Sequence, residues 1–442
     1  MQPGSRNQQN ASASDTVERI CASLGFRRSA RLQRFLRFLA STQAAVGCGP
    51  KEYEIAREVY DKPDDFNPQT DPIVRVEASR LRLRLAEYYV GPGREDELVL
   101  ELPKGGYSLL YRSGLNNGVH KQENRRPGRH YFRGRYLWSR RTPESLQQAI
   151  IAFRQAIDED CFEAAAWSGL ADCYLVMGSF EYMRPEIALP HAMAAARRAL
   201  ELNSDSAEAL TSLAAASAFY NWDAKSACSG FERAIAVNPA YASGWHFYGI
   251  VLFGIGLYEQ SMQALHRAQS LDPLSPMIGV QLASLYYLTR EFGSAAKLCD
   301  DLIRLDPTFW PARWFGGMAL EQQGRTAQAN RYLHAAVEMS QRCHWPLAAL
   351  GHLAGSSGER SLAEFIRKEL ESRRVSEHCP AAAIALVYTG MGRPEAALQW
   401  FGTALRERSP FVAMFFAGDP RLDPLRREQR FLELAAIVGL PR

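Results

Sequence analysis

The sequence predicts a mainly helical chain in two parts: three helices and a β-hairpin, then a long α-solenoid of paired helices. Three observations carry this. Apolar residues recur at helical spacing between residues 29 and 89. Two β-type runs, LVLEL and YSLLYR, flank a PKGG turn. From about residue 143 onward, prolines, glycines and small residues return every 34 positions.

Residues 1–14 are polar, lack the apolar stretch of a secretory signal, and are expected to be a disordered tail. Residues 15–113 form the first folded unit. Its first helix is expected over about Ser29–Ala45, with Leu32, Phe35, Leu36 and Leu39 as its apolar face. The second spans about Glu52–Tyr60, and the third about Ile73–Tyr89. Asp71 suits the N-cap of the third helix and Pro72 its first turn. Leu98–Leu102 and Tyr107–Arg112 then read as the two strands of a hairpin.

On a helical wheel, Val74, Ala78, Leu81, Leu85 and Tyr88 form one stripe of the third helix. Burying that stripe places Arg75, Ser79 and Arg82 on one flank and Arg80 and Arg84 on the other. The sequence therefore predicts an outward row of guanidinium groups. An α-helix fits the DNA major groove, and arginine can bond guanine O6 and N7 through two parallel hydrogen bonds. The alternative is a solvated basic face.

Helix order and the string VRVEASRLRLRL…VLELPKGGY resemble the winged helix-turn-helix DNA-binding domain of OmpR/PhoB-type regulators. The resemblance implies that Arg80 and Arg82 approach bases and phosphates of double-stranded DNA. It places Lys104 in the wing turn, within reach of a minor groove or phosphate. Arg75, Ser79 and Arg84 would flank them. In the resembling domains the loop matching Asp61–Thr70 can touch RNA polymerase or DNA; here a turn-rich spacer is an equal reading.

Residues 114–128 read as a basic linker, and 129–442 as the solenoid. Pro239, Pro273 and Pro307 lie 34 apart, as do Gly324, Gly358 and Gly392. Gly256 shares the glycine phase, with Arg290 in the intervening slot. Ala234, Ala268, Leu302, Ala336, Leu370 and Ala404 hold another phase. Proline ends a helix because it lacks the N–H and clashes with the preceding turn. Small residues let paired helices approach. The pattern resembles the tetratricopeptide family over roughly residues 143–410. Stacked helix pairs make a concave face that commonly holds a partner protein and less often a small-molecule ligand. Trp167, Tyr174, Trp245, Tyr248, Trp314 and Trp400 are expected to pack between helices. The basic segment 125–141 could make an accessory phosphate contact; the favoured reading is a first solenoid helix whose Tyr131, Tyr136, Leu137 and Trp138 cap the array while the arginines stay solvated. The C-terminal DPRLDPLRREQRFLELAAIVGL reads as a polar break and a capping helix.

Charge narrows the function classes. The net charge is +4. Residues 15–113 hold 16 basic and 15 acidic residues, so nucleic-acid binding must come from local clusters. No run of about 18 apolar residues occurs, so no membrane span is expected. Eight scattered cysteines without a C-x-x-C pair suit reduced thiols in a cytoplasm. There is no phosphate-binding G-x-x-x-x-G-K-[ST] and no paired-histidine metal spacing, so neither enzyme chemistry nor a cofactor is expected.

The complete arrangement resembles bacterial transcriptional regulators in which a winged helix precedes a tetratricopeptide array. That implies a cytoplasmic DNA-binding regulator whose solenoid binds a partner protein or self-associates. One such module buries little surface on DNA, which favours a homo-oligomer on repeated half-sites. The rival expectation is a non-enzymatic scaffold or adaptor whose winged helix has become a protein-interaction module.

Overall fold

A computed structural model describes residues 14–113, except 28, 47–48, 69–70, 91, 94–95, 97 and 104–105, and residues 128–439. Lys104, nearly all of the expected tail and nearly all of the expected linker lie outside the described residues.

The head opens with helix α1 (14–22) and the single turn α2 (Leu24–Arg27). Both precede the first helix expected from sequence. Val17, Ile20 and Cys21 of α1 are buried at helical spacing. Three longer helices follow: α3 (Ala30–Val46), α4 (Glu52–Tyr60) and α5 (Ile73–Val90). Asp71 Oδ1 accepts the Ile73 N–H at 3.1 Å, which starts α5 as expected. Leu32, Phe35, Leu36 and Leu39 pack with Ile55, Val59 and the stripe Val74, Ala78, Leu81, Leu85 and Tyr88 in one core.

Strands β1 (Leu98–Glu101) and β2 (Leu110–Ser113) pair antiparallel, with Leu98 opposite Ser113 and Glu101 opposite Leu110. The second strand begins three residues later than the sequence predicts, for a visible reason. The Gln43 side-chain amide takes both the N–H and the C=O of Leu109, at 2.6 and 2.5 Å. The Leu109 backbone is therefore held by α3 and not by β1. On the other side, the Leu100 N–H donates to the Tyr89 hydroxyl at 2.7 Å, tying β1 to α5.

Among the described residues, eight helix pairs build the solenoid. They are α6 (Arg129–Ser139) with α7 (Pro143–Glu159), α8 (Ala164–Ser179) with α9 (Pro185–Leu202), and α10 (Ala207–Asn221) with α11 (Ala224–Val237). Next come α12 (Ala242–Gly254) with α13 (Tyr258–Leu271), α14 (Pro276–Leu288) with α15 (Phe292–Leu305), and α16 (Trp310–Gln322) with α17 (Thr326–Met339). The last two are α18 (His344–Ser356) with α19 (Arg360–Ser376), and α20 (Ala381–Gly390) with α21 (Pro394–Arg406).

The turn inside each central pair repeats one backbone conformation. Gly256, Gly324, Gly358 and Gly392 have φ of 82°, 72°, 87° and 66°. Arg290, in the slot lacking glycine, has φ 67°, and Trp222, one period before Gly256, has φ 59°. The left-handed turn therefore persists where a side chain disfavours it, because packing of both helices fixes the reversal. Where the proline phase is occupied by Val375, the helix is longer: α19 runs to Ser376, and α20 starts only after Pro380.

The chain's end departs most from expectation. Helix α22 (Pro410–Phe415) and a 3-10 turn (Pro420–Leu425) enter the interior of the solenoid before α23 (Gln429–Ile437) returns to pack on α21. Phe415 meets Phe253 of α12 and Phe315 of α16, at ring separations of 5.8 and 6.3 Å. Tyr287 donates to Asp419 at 3.0 Å, and Ser409 donates to Glu181 at 2.6 Å. At Gly254 a Cβ would collide with the Ala413 carbonyl, so α22 lies directly on the α12 backbone. The chain's own segment 409–425 thus occupies much of the concave face, which is not an open groove. Only α23 fits the expected capping role.

The solenoid also closes. The Phe180 carbonyl, just after α8, lies 3.0 Å from both His344 Nε2 and Trp345 Nε1 at the start of α18. No helix is long and apolar enough to cross a membrane among the described residues.

Candidate nucleic-acid interface and solenoid closure

The arginines of α5 divide into two kinds. Arg80 and Arg84 are exposed, as the wheel predicts. Their side chains retain 56% and 47% of full exposure, and each is paired along the helix, Arg80 with Glu77 at 2.6 Å and Arg84 with Glu87 at 2.7 Å. The Arg84–Glu87 pair lies largely in solvent and contributes little stability, about 0.3–0.5 kcal/mol, so the Arg84 guanidinium is available to an anionic partner at small cost. Arg80 is exposed too, but its partner Glu77 is only 8% exposed, so drawing Arg80 to an anion leaves a buried carboxylate short of its counter-charge.

Arg75 and Arg82 do not join that outward row. Arg82 turns back under the hairpin. Its Nε donates to the Leu102 carbonyl at 2.9 Å, and its Nη2 donates to Pro103 at 3.0 Å. Burial pulls its guanidinium below the usual arginine range, while Tyr107 and Asp272 act in the opposite sense. The turn that follows β1 is therefore built on Arg82. The wheel places Arg82 at the edge of the stripe, where a long side chain can fold toward the hairpin.

Arg75 is held on three sides. It pairs with Glu52 at 3.1 Å, donates to the Pro68 carbonyl, and donates through Nη1 to the Ser270 carbonyl at 2.7 Å. Ser270 lies near the end of α13, so this contact joins head and solenoid. Burial raises the Glu52 carboxyl above its usual range against the lowering effect of Arg75. Ser79 is spent locally, donating to the Arg75 carbonyl at 3.0 Å.

The Asp61–Thr70 loop is pinned at both ends. Arg34 pairs with Asp61 at 2.8 Å, and Lys62 pairs with Asp71 at 2.6 Å. Tyr89 of α5 and Phe132 of α6 lie 6.3 Å apart and add an aromatic contact between the two parts.

In the first solenoid pair, two arginines expected in solvent lie inside. Arg135 pairs with Asp172 at 2.6 Å. Arg141 stacks on Trp138, its guanidinium carbon 4.0 Å from the ring centroid. Their neighbours come from α8 and beyond, which a local pattern does not record.

At the closure, His344 is buried, and burial drives its imidazole down to about 3. It is therefore neutral at pH 7. The adjacent Cys343 thiol is pushed up to about 11, again chiefly by burial. Neither group is poised for nucleophilic chemistry.

The C-terminal part is a tetratricopeptide-like α-solenoid. No family model matches the chain. Over 172 residues it is 27% identical to the transcriptional regulator HilA of Salmonella typhimurium, covering 39% of this chain and 31% of that protein. The chain thus matches about a third of the length of these curated relatives. Human IFIT1, solved as a dimer with m7Gppp-AAAA, has a similar fold, with TM-score 0.50 and 12% identity over 90% of this chain and 94% of that one. YrrB, described as a TPR protein with an unusual peptide-binding site, gives TM-score 0.30 and 21% identity over 45% of this chain and 97% of its own.

Proposed function

We propose that the chain is a regulator in which the head reads double-stranded DNA and the solenoid binds a partner or effector. The interaction role of the solenoid has the broader support, in its tetratricopeptide-like build. The DNA role rests chiefly on α5, which buries one apolar stripe and leaves Arg80 and Arg84 exposed on a helix long enough to lie in a major groove. Three helices followed by an antiparallel hairpin favour a winged helix, with the hairpin as wing. The partial likeness to HilA points the same way. Arg82 then positions the wing, and Arg75 links the head to the solenoid.

A second reading has its own support. Arg75 and Arg82 are spent inside the protein, and residues 15–113 are close to neutral. Both suit a head that contacts protein in a scaffold or adaptor.

Genomic-fragment selection with the full chain at two salt concentrations separates the readings. The regulator reading expects a shared sequence to be enriched, and expects the Arg80→Ala/Arg84→Ala variant to lose it. No enrichment, or equal weak binding by both proteins, supports the adaptor instead.

A further inference from the structure

The closed solenoid encloses about 820 Å³ of space between side chains, part of it continuous with solvent. Six repeat helices and α22 contribute to its wall. Phe180, Phe247, Phe315 and Phe411 make the wall largely apolar and aromatic.

The wall also carries two arginines. Arg421 is only 3% exposed and is held by Asp419 through Nε and Nη2, at 3.1 and 2.6 Å. Its Nη1 has no hydrogen-bond partner. Arg141 forms no ion pair with the described acids. The acid whose charge acts on it most strongly, Asp172, is already engaged by Arg135 and Ser212, both at 2.6 Å. Burial lowers the Arg141 guanidinium to about 10, so it stays protonated at neutral pH. Two further wall atoms, Trp314 Nε1 and Gln281 Oε1, are buried without partners. Trp314, expected from sequence as helix packing, therefore presents a donor at this cavity. Buried polar atoms are normally satisfied, and several unsatisfied ones converging on one cavity point to a ligand.

We propose that the lumen is a binding site for a small organic anion with an apolar body, a medium-chain acyl or aryl carboxylate. The acyl or aryl part lies against the phenylalanine rings. The carboxylate is drawn to Arg141, with Arg421 and the Trp314 indole N–H adding positive potential and a donor. A neutral ligand leaves the Arg141 charge desolvated and unpaired. A dianion exceeds the positive charge that Asp419 leaves uncompensated. A polypeptide is disfavoured because segment 409–425 already occupies much of the groove. The site is independent of DNA reading by the head, so the two proposals fail separately.

The test uses the full chain with 1-anilinonaphthalene-8-sulfonate as fluorescent probe, and decanoate and 1-decanol as competitors. Saturable binding of one probe per chain is expected. Decanoate should displace it at least about tenfold more effectively than 1-decanol. Arg141→Gln should weaken the probe and decanoate about tenfold or more, with the thermal midpoint little changed. Met277→Trp, which fills the cavity from α14, should block the probe. Non-saturable binding overturns the proposal. So does equal displacement by decanol, or unchanged binding in both folded variants, which places the probe elsewhere.

Discussion

The indole N–H of Trp345 donates to the Phe180 carbonyl at 3.0 Å, joining residues 165 positions apart. This contact converts a stack of repeats, each touching its neighbours, into a closed body. Trp345→Phe keeps a ring against Phe411 but removes the donor. It should cost about 1–2 kcal/mol in chemical denaturation. A loss indistinguishable from zero would mean the contact does not hold the closure.

The same junction is acid-sensitive through His344. Its folded-state pKa is about 3, against 6.5 for the free side chain. Between those values the unfolded chain binds a proton that the folded chain excludes. Stability therefore falls as pH drops from about 6.5 toward 3, by up to about 1.4 kcal/mol per pH unit from this group. His344→Gln should flatten the stability-against-pH curve in that window, read by urea unfolding at several pH values.

Asp419 and Arg421 form a buried charge pair inside the solenoid, at 2.6 Å and almost fully shielded. Asp419→Ala strands Arg421 and should cost about 3–5 kcal/mol. Burial alone would raise the Asp419 carboxyl, but Arg421 more than offsets this and holds it below its ordinary value. Its contribution is present above the unfolded pKa of about 3.8 and is lost as pH falls through the lower folded value. Asp419→Ala should unfold at lower denaturant concentration at pH 7, and the difference from the parent should shrink in strong acid.

Two glycines separate backbone strain from packing. At Gly324 an added Cβ meets nothing within 4 Å, so Gly324→Ala carries only the cost of φ +72°, about 1 kcal/mol. At Gly355 the Cβ would lie 2.6 Å from the Gly390 backbone, where α18 and α20 touch. That neighbour has no flexible end to move. Gly355→Ala should therefore cost clearly more than Gly324→Ala, and thermal unfolding of the two variants gives the order.

In the head, Arg82→Ala should destabilise the hairpin by about 1–3 kcal/mol, because three backbone carbonyls face that guanidinium. Arg84→Ala should change stability by less than about 1 kcal/mol, because its pair with Glu87 lies largely in solvent. Hydrogen exchange at β1 and β2 should rise in the first variant and not in the second.

What the sequence discloses divides along chemical lines. The bounds of α4 and the buried stripe of α5 follow from short-range periodicity, and both match the structure. The Gly256, Gly324, Gly358 and Gly392 phase marks a real left-handed turn. Helix α1 was also legible, since Val17, Ile20 and Cys21 carry the helical spacing, but the short polar surroundings mask it. The directions of long side chains were not legible. Arg82, Arg75 and Arg135 each turn toward groups distant in sequence, and arginine has reach enough to choose between water and a buried partner. Segment 409–425 escaped for a related reason. Its prolines and charges read as a polar break, yet Asp419 and Arg421 neutralise each other inside the solenoid.

Closure around that segment is the structural claim on which the cavity and its proposed ligand depend. It is tested most directly by a spin-label distance between positions 184 and 341, both exposed and flanking the junction, in the full chain. One narrow, short-distance population is expected. A broad or long distribution, as in an open superhelix whose second and seventh helix pairs diverge, would contradict it.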